Sequence, residues 1–290
     1  MDYFSATIQK LAAAKIENPR LEARLLIAEV LKCNPSEIYS DIPLSPTDIE
    51  KVNAKLEQRL RHKPLDKILG RREFYKYEFK VNEDVLSPRP DTEILLESAL
   101  DILRNIPNAN VLDLGCGSGC IIESLLKEMP QTRGTAVDVS DKALAVAEKN
   151  ADNLEIGPRL QFMKADWFAA DFTVAFSDKF DMIVSNPPYI PTTDIETLEP
   201  EVKNYDPRLA LDGGKSGYDS YERIAEVAPE LLKIGGYILL EAGQGQAQKI
   251  ADIYKAQGFL LYKIVNDLSG IARCVILQKA VAENKKVSIY

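Results

Sequence analysis

The stretch Val184-Ser185-Asn186-Pro187-Pro188-Tyr189-Ile190-Pro191 puts a side-chain amide at the end of an apolar run and follows it at once with two prolines. Proline cannot donate to a sheet ladder, so a strand containing Met182-Ile183-Val184 must stop here, with Asn186 at its tip on a stiff backbone. Such a tip suits methyl transfer to a planar NH2 group. The nitrogen lone pair of that group is delocalised, which makes it a weak nucleophile. Two acceptors on its two N–H bonds would orient it and favour pyramidalisation. The Asn186 side-chain oxygen and the Pro187 backbone carbonyl are acceptors of that kind. Tyr189 can pack against the planar group and steer it. No general base is needed early, because the nitrogen proton turns strongly acidic on alkylation; proximity and orientation carry most of the effect. On this reading Asn186, Pro187, Pro188 and Tyr189 are the catalytic and substrate-binding residues. A proline-rich strand terminator is the plainer use of the same residues.

A methyl donor needs its own site. In Asp113-Leu114-Gly115-Cys116-Gly117-Ser118-Gly119 the glycine spacing is GxGxG, and Cys120 follows the last glycine. Glycines after a strand let backbone approach a ligand closely. The nicotinamide fingerprint is GxGxxG. The form present here suits the amino-acid and ribose parts of S-adenosylmethionine better than a pyrophosphate, although a tight strand–helix turn can look the same. Asp138 ends the next apolar run, "TAVDVS", and can accept both ribose hydroxyls of either S-adenosylmethionine or a dinucleotide. Asp166 and Trp167, the only tryptophan, offer an edge acceptor and an apolar face for an adenine. The expected cofactor-binding residues are therefore Asp113, Gly115, Cys116, Gly117, Ser118, Gly119, Asp138, Asp166 and Trp167, with Asn186 adjoining them.

Composition narrows the remaining classes. The chain has 290 residues, 46% hydrophobic, with net charge −8 and pI near 5.0. A bulk-acidic protein is a poor general binder of phosphate backbones, so direct nucleic-acid binding is not expected. Cys33, Cys116, Cys120 and Cys274 form no CxxC pair, and His62 is the only histidine. No metal site is expected, and histidine-based nucleophilic catalysis would have to run through His62. The start "MDYFSATIQK" lacks the pattern of a signal peptide, and no apolar run approaches the roughly 20 residues of a membrane helix. A cytoplasmic protein with no membrane partner is expected.

The elements that must position these residues can be read in outline. Residues 1–68 read as a small helical domain for substrate recognition. Leu21, Leu25, Leu26, Ala28 and Leu31 recur at helical spacing after Asn18-Pro19. Ser45-Pro46-Thr47-Asp48 signals a capped helix start, followed by the stripe Ile49, Val52, Leu56, Leu60. Over 69–90 the period changes: Tyr75, Tyr77, Phe79 and Val81 alternate with charged residues, and Asn82-Glu83-Asp84 can turn this strand into a hairpin linker. Gln58 to Lys80 carries eight Lys/Arg against three Asp/Glu, which reads as a solvated face or a docking surface for an acidic partner. From 91 to 282 strands alternate with helices, the signature of a doubly wound α/β domain. The last two strands are close enough in sequence to be antiparallel. Residues 283–290 read as a loose tail.

Together these motifs resemble the PrmC/HemK family, the protein-(glutamine-N5) methyltransferases that act on peptide chain release factors. The resemblance rests on "GRREFYKYEFKV", "VLSPRPDTE", "DLGCGSG", "AVDVS", "ADWF", "SNPPYIP" and "YDPRLALDGGKSGYDSYERI", and it spans nearly the whole chain. NPPY alone is shared with DNA adenine and rRNA methyltransferases. Its combination with "PRPDTE" and "DPRLALDGG" is more specific. The resemblance implies a class I S-adenosylmethionine-dependent methyltransferase fold: a mostly parallel sheet with an antiparallel last strand, behind an N-terminal helical domain. It implies the glutamine of the Gly-Gly-Gln motif in class 1 release factors as acceptor. It gives Gly115 to Gly119, Asp138 and Trp167 to the cofactor, Asn186 to Tyr189 to the glutamine, and sets Pro88 and Arg89 near the target. The alternatives are an N-methyltransferase that flips a nucleic-acid base into the same pocket, one acting on a ribosomal-protein glutamine, and a non-catalytic cofactor binder.

Overall fold

The computed structural model describes residues 2–40 and 42–280, so the tail expected over 283–290 lies outside the described residues. The chain divides into two compact units, Met1–Arg71 with Leu198–Tyr205, and Arg72–Thr197 with Asp206–Tyr290.

The first unit is helical, with helices Tyr3–Ala13, Pro19–Leu31, Pro46–Leu60 and Leu65–Leu69 and the single turn Pro200–Lys203. Its starts are set locally. Asp2 accepts from the Ser5 amide at 2.8 Å. Pro19 takes the first helical position, where its missing N–H costs nothing. Ser45 and Asp48 form a reciprocal capping box. Leu11, Leu26, Ile27, Val52 and Leu56 are buried at the centre, each contributing about 1.5–3 kcal/mol. Arg59 is buried too, its guanidinium bonded to Glu22 and ion-paired with Glu201 at 2.8 Å. Much of the basic run is therefore consumed internally. Lys67 donates to the Tyr205 carbonyl, and Arg71 pairs with Glu29 at 2.7 Å.

A two-stranded ribbon, β1 (Arg71–Phe74) and β2 (Tyr77–Lys80), comes next. The sequence suggested one strand turning at Asn82-Glu83-Asp84; the ribbon instead turns at Tyr75-Lys76. Tyr75 takes a left-handed backbone, φ 56°, which is uncommon for an aromatic residue. Glu93 accepts its amide at 2.9 Å, and Glu128 accepts from Lys76 at 2.8 Å and from the Tyr77 hydroxyl at 2.6 Å. These distant carboxylates hold the turn, and nothing in the local alternation could reveal them.

The sheet comprises β3 (Asn110–Leu114), β4 (Arg133–Asp138), β5 (Leu160–Lys164), β6 (Phe180–Ser185), β7 (Leu232–Glu241), β8 (Phe259–Asn266) and β9 (Ala272–Lys279), in the order β5-β4-β3-β6-β7-β9-β8. The five strands β5 to β7 in that order run parallel, and β9 is antiparallel to both β7 and β8. Each buried strand feeds two cores through its alternation. Val111, Ala136, Met182 and Val184 face the side packed by helices Glu93–Leu103, Cys120–Glu128 and Asp141–Asn153. Leu112, Val137, Ile183 and Leu240 face helices Asp219–Leu231 and Ala247–Ala256. β3 lies between β4 and β6, so the winding direction reverses there. In such sheets ligands bind outside the carboxyl ends at that reversal.

Candidate active site

The ends of β3, β4 and β5 carry residues singled out by the sequence. After β3, Gly115, Gly117 and Gly119 have φ of 75°, 55° and 82°, a left-handed backbone that a side chain would strain. The loop is pinned by the Gly115 and Cys116 amides, both donating to the Val137 carbonyl at 2.9 Å. At the end of β4, Asp138 accepts from Gly117 N at 3.0 Å and Ser140 N at 2.9 Å. Burial raises its pKa, with those two amides opposing. After β5, Trp167 lies against Gly115: a Cβ built there would sit 3.2 Å from its ring. Arg223 holds this turn by donating to the Trp167 and Ala169 carbonyls at 2.7 and 2.9 Å.

These residues surround a cavity of about 690 Å³, within the range of small-ligand sites. Gly115, Cys116, Gly117, Ser118, Asp138, Asp166 and Trp167 line it, together with Pro88, Arg89, Asn186 and Pro188. Asp113, Gly119, Pro187 and Tyr189 are not on its wall. Asp113 lies beneath the loop, fully buried, with neither carboxylate oxygen meeting a hydrogen-bond partner. Burial pushes its carboxyl up to about 8. Beside it Glu123, also unpartnered, is pushed up to about 10 by burial, Asp113 adding to the effect. Gly119 is the roof of that acid: a Cβ there would fall 1.9 Å from Glu123 Oε1. Arg89 is ion-paired with buried Asp206 at 2.8 Å.

A Cβ at Gly117 would meet nothing within 4 Å, so the loop backbone opens directly onto the space. Trp167 Nε1 is buried without a partner, an indole donor awaiting an acceptor. Asp138 keeps lone pairs beyond the two it uses. A polar, hydroxyl-bearing ligand with an aromatic base fits this donor and acceptor set.

The tip of β6 is held from several directions. Ser185 Oγ donates to the Leu114 carbonyl at 2.6 Å, fixing the tip to the end of β3. Beyond it the segment 211–214 runs alongside the prolines: Ile190 N donates to Leu211 O at 3.0 Å, and Gly213 N to Ile190 O at 2.8 Å. A Cβ on Gly213 would lie 2.7 Å from Tyr189 Cα and 2.9 Å from the Pro188 carbonyl oxygen. Gln246 Nε2 donates to the Tyr189 carbonyl at 3.1 Å. The Tyr189 phenol is raised to about 12, chiefly by burial, and its ring packs towards the core. Beneath Asn186 lie two residues that no local pattern indicated. Asn186 Nδ2 donates to Thr92 Oγ1 at 3.3 Å, and Thr92 Oγ1 donates to Glu241 Oε2 at 2.5 Å.

The strand order and the glycine loop at the reversal define a class I methyltransferase. The methyltransferase small domain model matches residues 90–199, and the PrmC N-terminal domain model matches residues 2–70. The release factor glutamine methyltransferase of Rhodospirillum rubrum is 40% identical over 275 residues, covering 94% of this chain and 83% of that one. That of Caulobacter vibrioides is 40% identical over 275 residues, 94% of each. That of Geobacter sulfurreducens is 40% identical over 268 residues, 91% of each. The chain belongs to the release factor glutamine methyltransferase family.

Proposed function

We propose that this protein transfers a methyl group from S-adenosylmethionine to the side-chain nitrogen of the glutamine in the Gly-Gly-Gln motif of class 1 peptide chain release factors, in the cytoplasm. The observation that carries this reading is Asn186 on the wall of the cavity that also holds the glycine loop, Asp138 and Trp167. The bound cofactor supplies an electrophilic methyl on a sulfonium. The protein supplies placement. Asp138 would take the ribose hydroxyls, the open backbone at Gly117 and Ser118 would face the amino-acid portion, and Asp166 and Trp167 would take the adenine.

The acceptor amide would donate one N–H to Asn186 Oδ1 and the other to the carbonyl of Pro187, which lies between the wall residues Asn186 and Pro188. Both acceptors sit on a backbone whose prolines leave it few alternatives. This fixes the nitrogen for in-line attack and draws its lone pair out of conjugation. Orientation of this kind is worth several orders of magnitude in rate. Tyr189 serves from behind, its partly buried ring, packed towards the core, stiffening the segment. Pro88 and Arg89 border the entrance used by the glutamine-bearing loop. Direct binding of nucleic acid is not part of this reading.

The test is transfer of labelled methyl to a class 1 release factor, wild type against a glutamine-to-alanine change in its Gly-Gly-Gln motif. Label on the wild type alone is the expected result. Label on neither, but on nucleic acid or a ribosomal protein, would overturn the substrate assignment.

A further inference from the structure

Building on the proposed role of Asn186, we propose that Thr92 and Glu241 are positioning residues that fix which end of the Asn186 amide faces the cavity. An asparagine side chain has an acceptor end and a donor end of nearly equal size. Only the acceptor end can hold the N–H of an incoming amide. Turned round, Asn186 would set its own NH2 against the NH2 of the substrate.

Proton counting decides the orientation. An ionised Glu241 can only accept. The Thr92 hydroxyl has one proton and gives it to Glu241 Oε2 at 2.5 Å. Thr92 Oγ1 is then left as an acceptor, so its other neighbour must donate, and Asn186 Nδ2 does so at 3.3 Å. Asn186 Oδ1 is thereby released to the cavity. The backing is rigid. Thr92 is 2% exposed and Glu241 3%, and Tyr221 hydroxyl holds the Glu241 carbonyl at 2.7 Å.

Protonation of Glu241 would undo this order. A neutral carboxyl can donate to Thr92, which frees the Thr92 proton to seek Asn186 Oδ1 and turns the amide. Burial pushes the Glu241 carboxyl up to about 7; the Thr92 and Asn186 hydrogen bonds and Arg273 oppose the shift, while Asp91 adds to it. Arg273 is engaged by Asp91 at 2.9 Å and by Asp267 at 3.1 Å. The other titratable groups facing this carboxyl are Tyr189, Tyr221, Cys120 and Cys274. Burial raises all four, so they stay neutral through this range. The acid limb of the transfer rate belongs to Glu241.

The experiment compares the full-length wild type with T92V, T92S and E241Q. Three quantities are read: the transfer rate against pH, the Kd for S-adenosylmethionine, and the side-chain 15N–H2 resonances of Asn186. T92V and E241Q are expected to lower kcat about 100-fold, as for a misplaced reacting group, with the cofactor Kd changed less than about 2-fold. T92S restores most of what T92V loses. The wild-type rate falls as pH drops through about 7, and the residual rate of E241Q is flat there. The Asn186 resonances follow the same midpoint in the wild type and lose it in T92V and E241Q. An unchanged kcat in T92V, or an Asn186 resonance with no midpoint near neutrality in the wild type, would overturn the proposal. The resonance needs no acceptor, so it decides the matter even if release factors prove not to be the substrate.

Discussion

At the scale of single residues, the site depends on how closely backbone can be approached. Gly213 has no side chain because its Cβ position is 2.7 Å from Tyr189 Cα and 2.9 Å from the Pro188 carbonyl oxygen. Both are main-chain atoms, which cannot swing aside. Gly213→Ala must push the prolines away from the segment that zips them to residues 211–214. The expected cost is about 1–3 kcal/mol in stability, with a loss of transfer out of proportion to it, because Asn186 moves with the prolines. Thermal unfolding and kcat measured on one preparation check this. A variant with wild-type kcat would show that the segment is not held as argued. The placement of Asn186, Asp138 and Trp167 at or just past strand ends on one cavity was legible in the sequence, because each follows an apolar run, where parallel sheets place ligands. Thr92, Glu241, Gly213 and Gln246 were not. They act through a neighbour distant in sequence, and residue type and spacing do not encode such partners. The only trace was that Thr92 and Gly213 fall within the motif words "PRPDTE" and "DPRLALDGG".

At the scale of elements, the sheet brings together what the chain keeps apart. β3, β4 and β6 run parallel in adjacent register, Asp113 opposite Ala136 and Val184, so their carboxyl ends lie on one edge. The alternation of strands and helices was readable, because buried parallel strands are continuous apolar runs bounded by turn residues. The ribbon turn was not readable. The alternation from Tyr75 to Val81 fits one strand, yet Glu93 and Glu128 draw the chain round at Tyr75-Lys76. The contacts of residues 198–205 were equally hidden, since Glu201 finds buried Arg59 across the helices of the first unit. The helix Cys120–Glu128 carries its own concealed feature. Its first turn holds Glu123, an acid buried under the glycine loop and flanked by Asp113.

At the scale of the whole molecule, those buried acids govern the response of the fold to pH. Asp113, Glu123 and Glu241 are raised to about 8, 10 and 7. A raised carboxyl keeps its proton in the folded protein after the unfolded chain has released it. Its contribution is therefore complete below the ordinary carboxylate range and shrinks as pH climbs towards the folded value. Each proton held in this way lowers stability by about 1.4 kcal/mol per pH unit. Unfolding free energy should decline from about pH 5, and the decline should persist towards pH 10 because of Glu123. Glu123→Gln should flatten that slope by about one proton while leaving stability near pH 4 little changed. Denaturant titrations across the range check it, and parallel slopes for the two proteins would contradict it. Among the described residues no helix is long and apolar enough to cross a membrane. The acidic whole carries a helical unit whose basic residues Arg59, Lys67 and Arg71 already have partners within it.

The proposed role of the end of β6 is to present the Asn186 side-chain oxygen to the acceptor nitrogen. Its most direct measurement is the pair of S-adenosylmethionine affinity and single-turnover methyl transfer in Asn186→Ala. The expected result is an affinity within about 3-fold of wild type and a transfer rate reduced at least about 100-fold, the scale of losing one oriented hydrogen-bonding group at a reaction centre. Transfer near the wild-type rate, or an affinity that collapses along with it, would contradict the claim and move Asn186 from the acceptor to the cofactor.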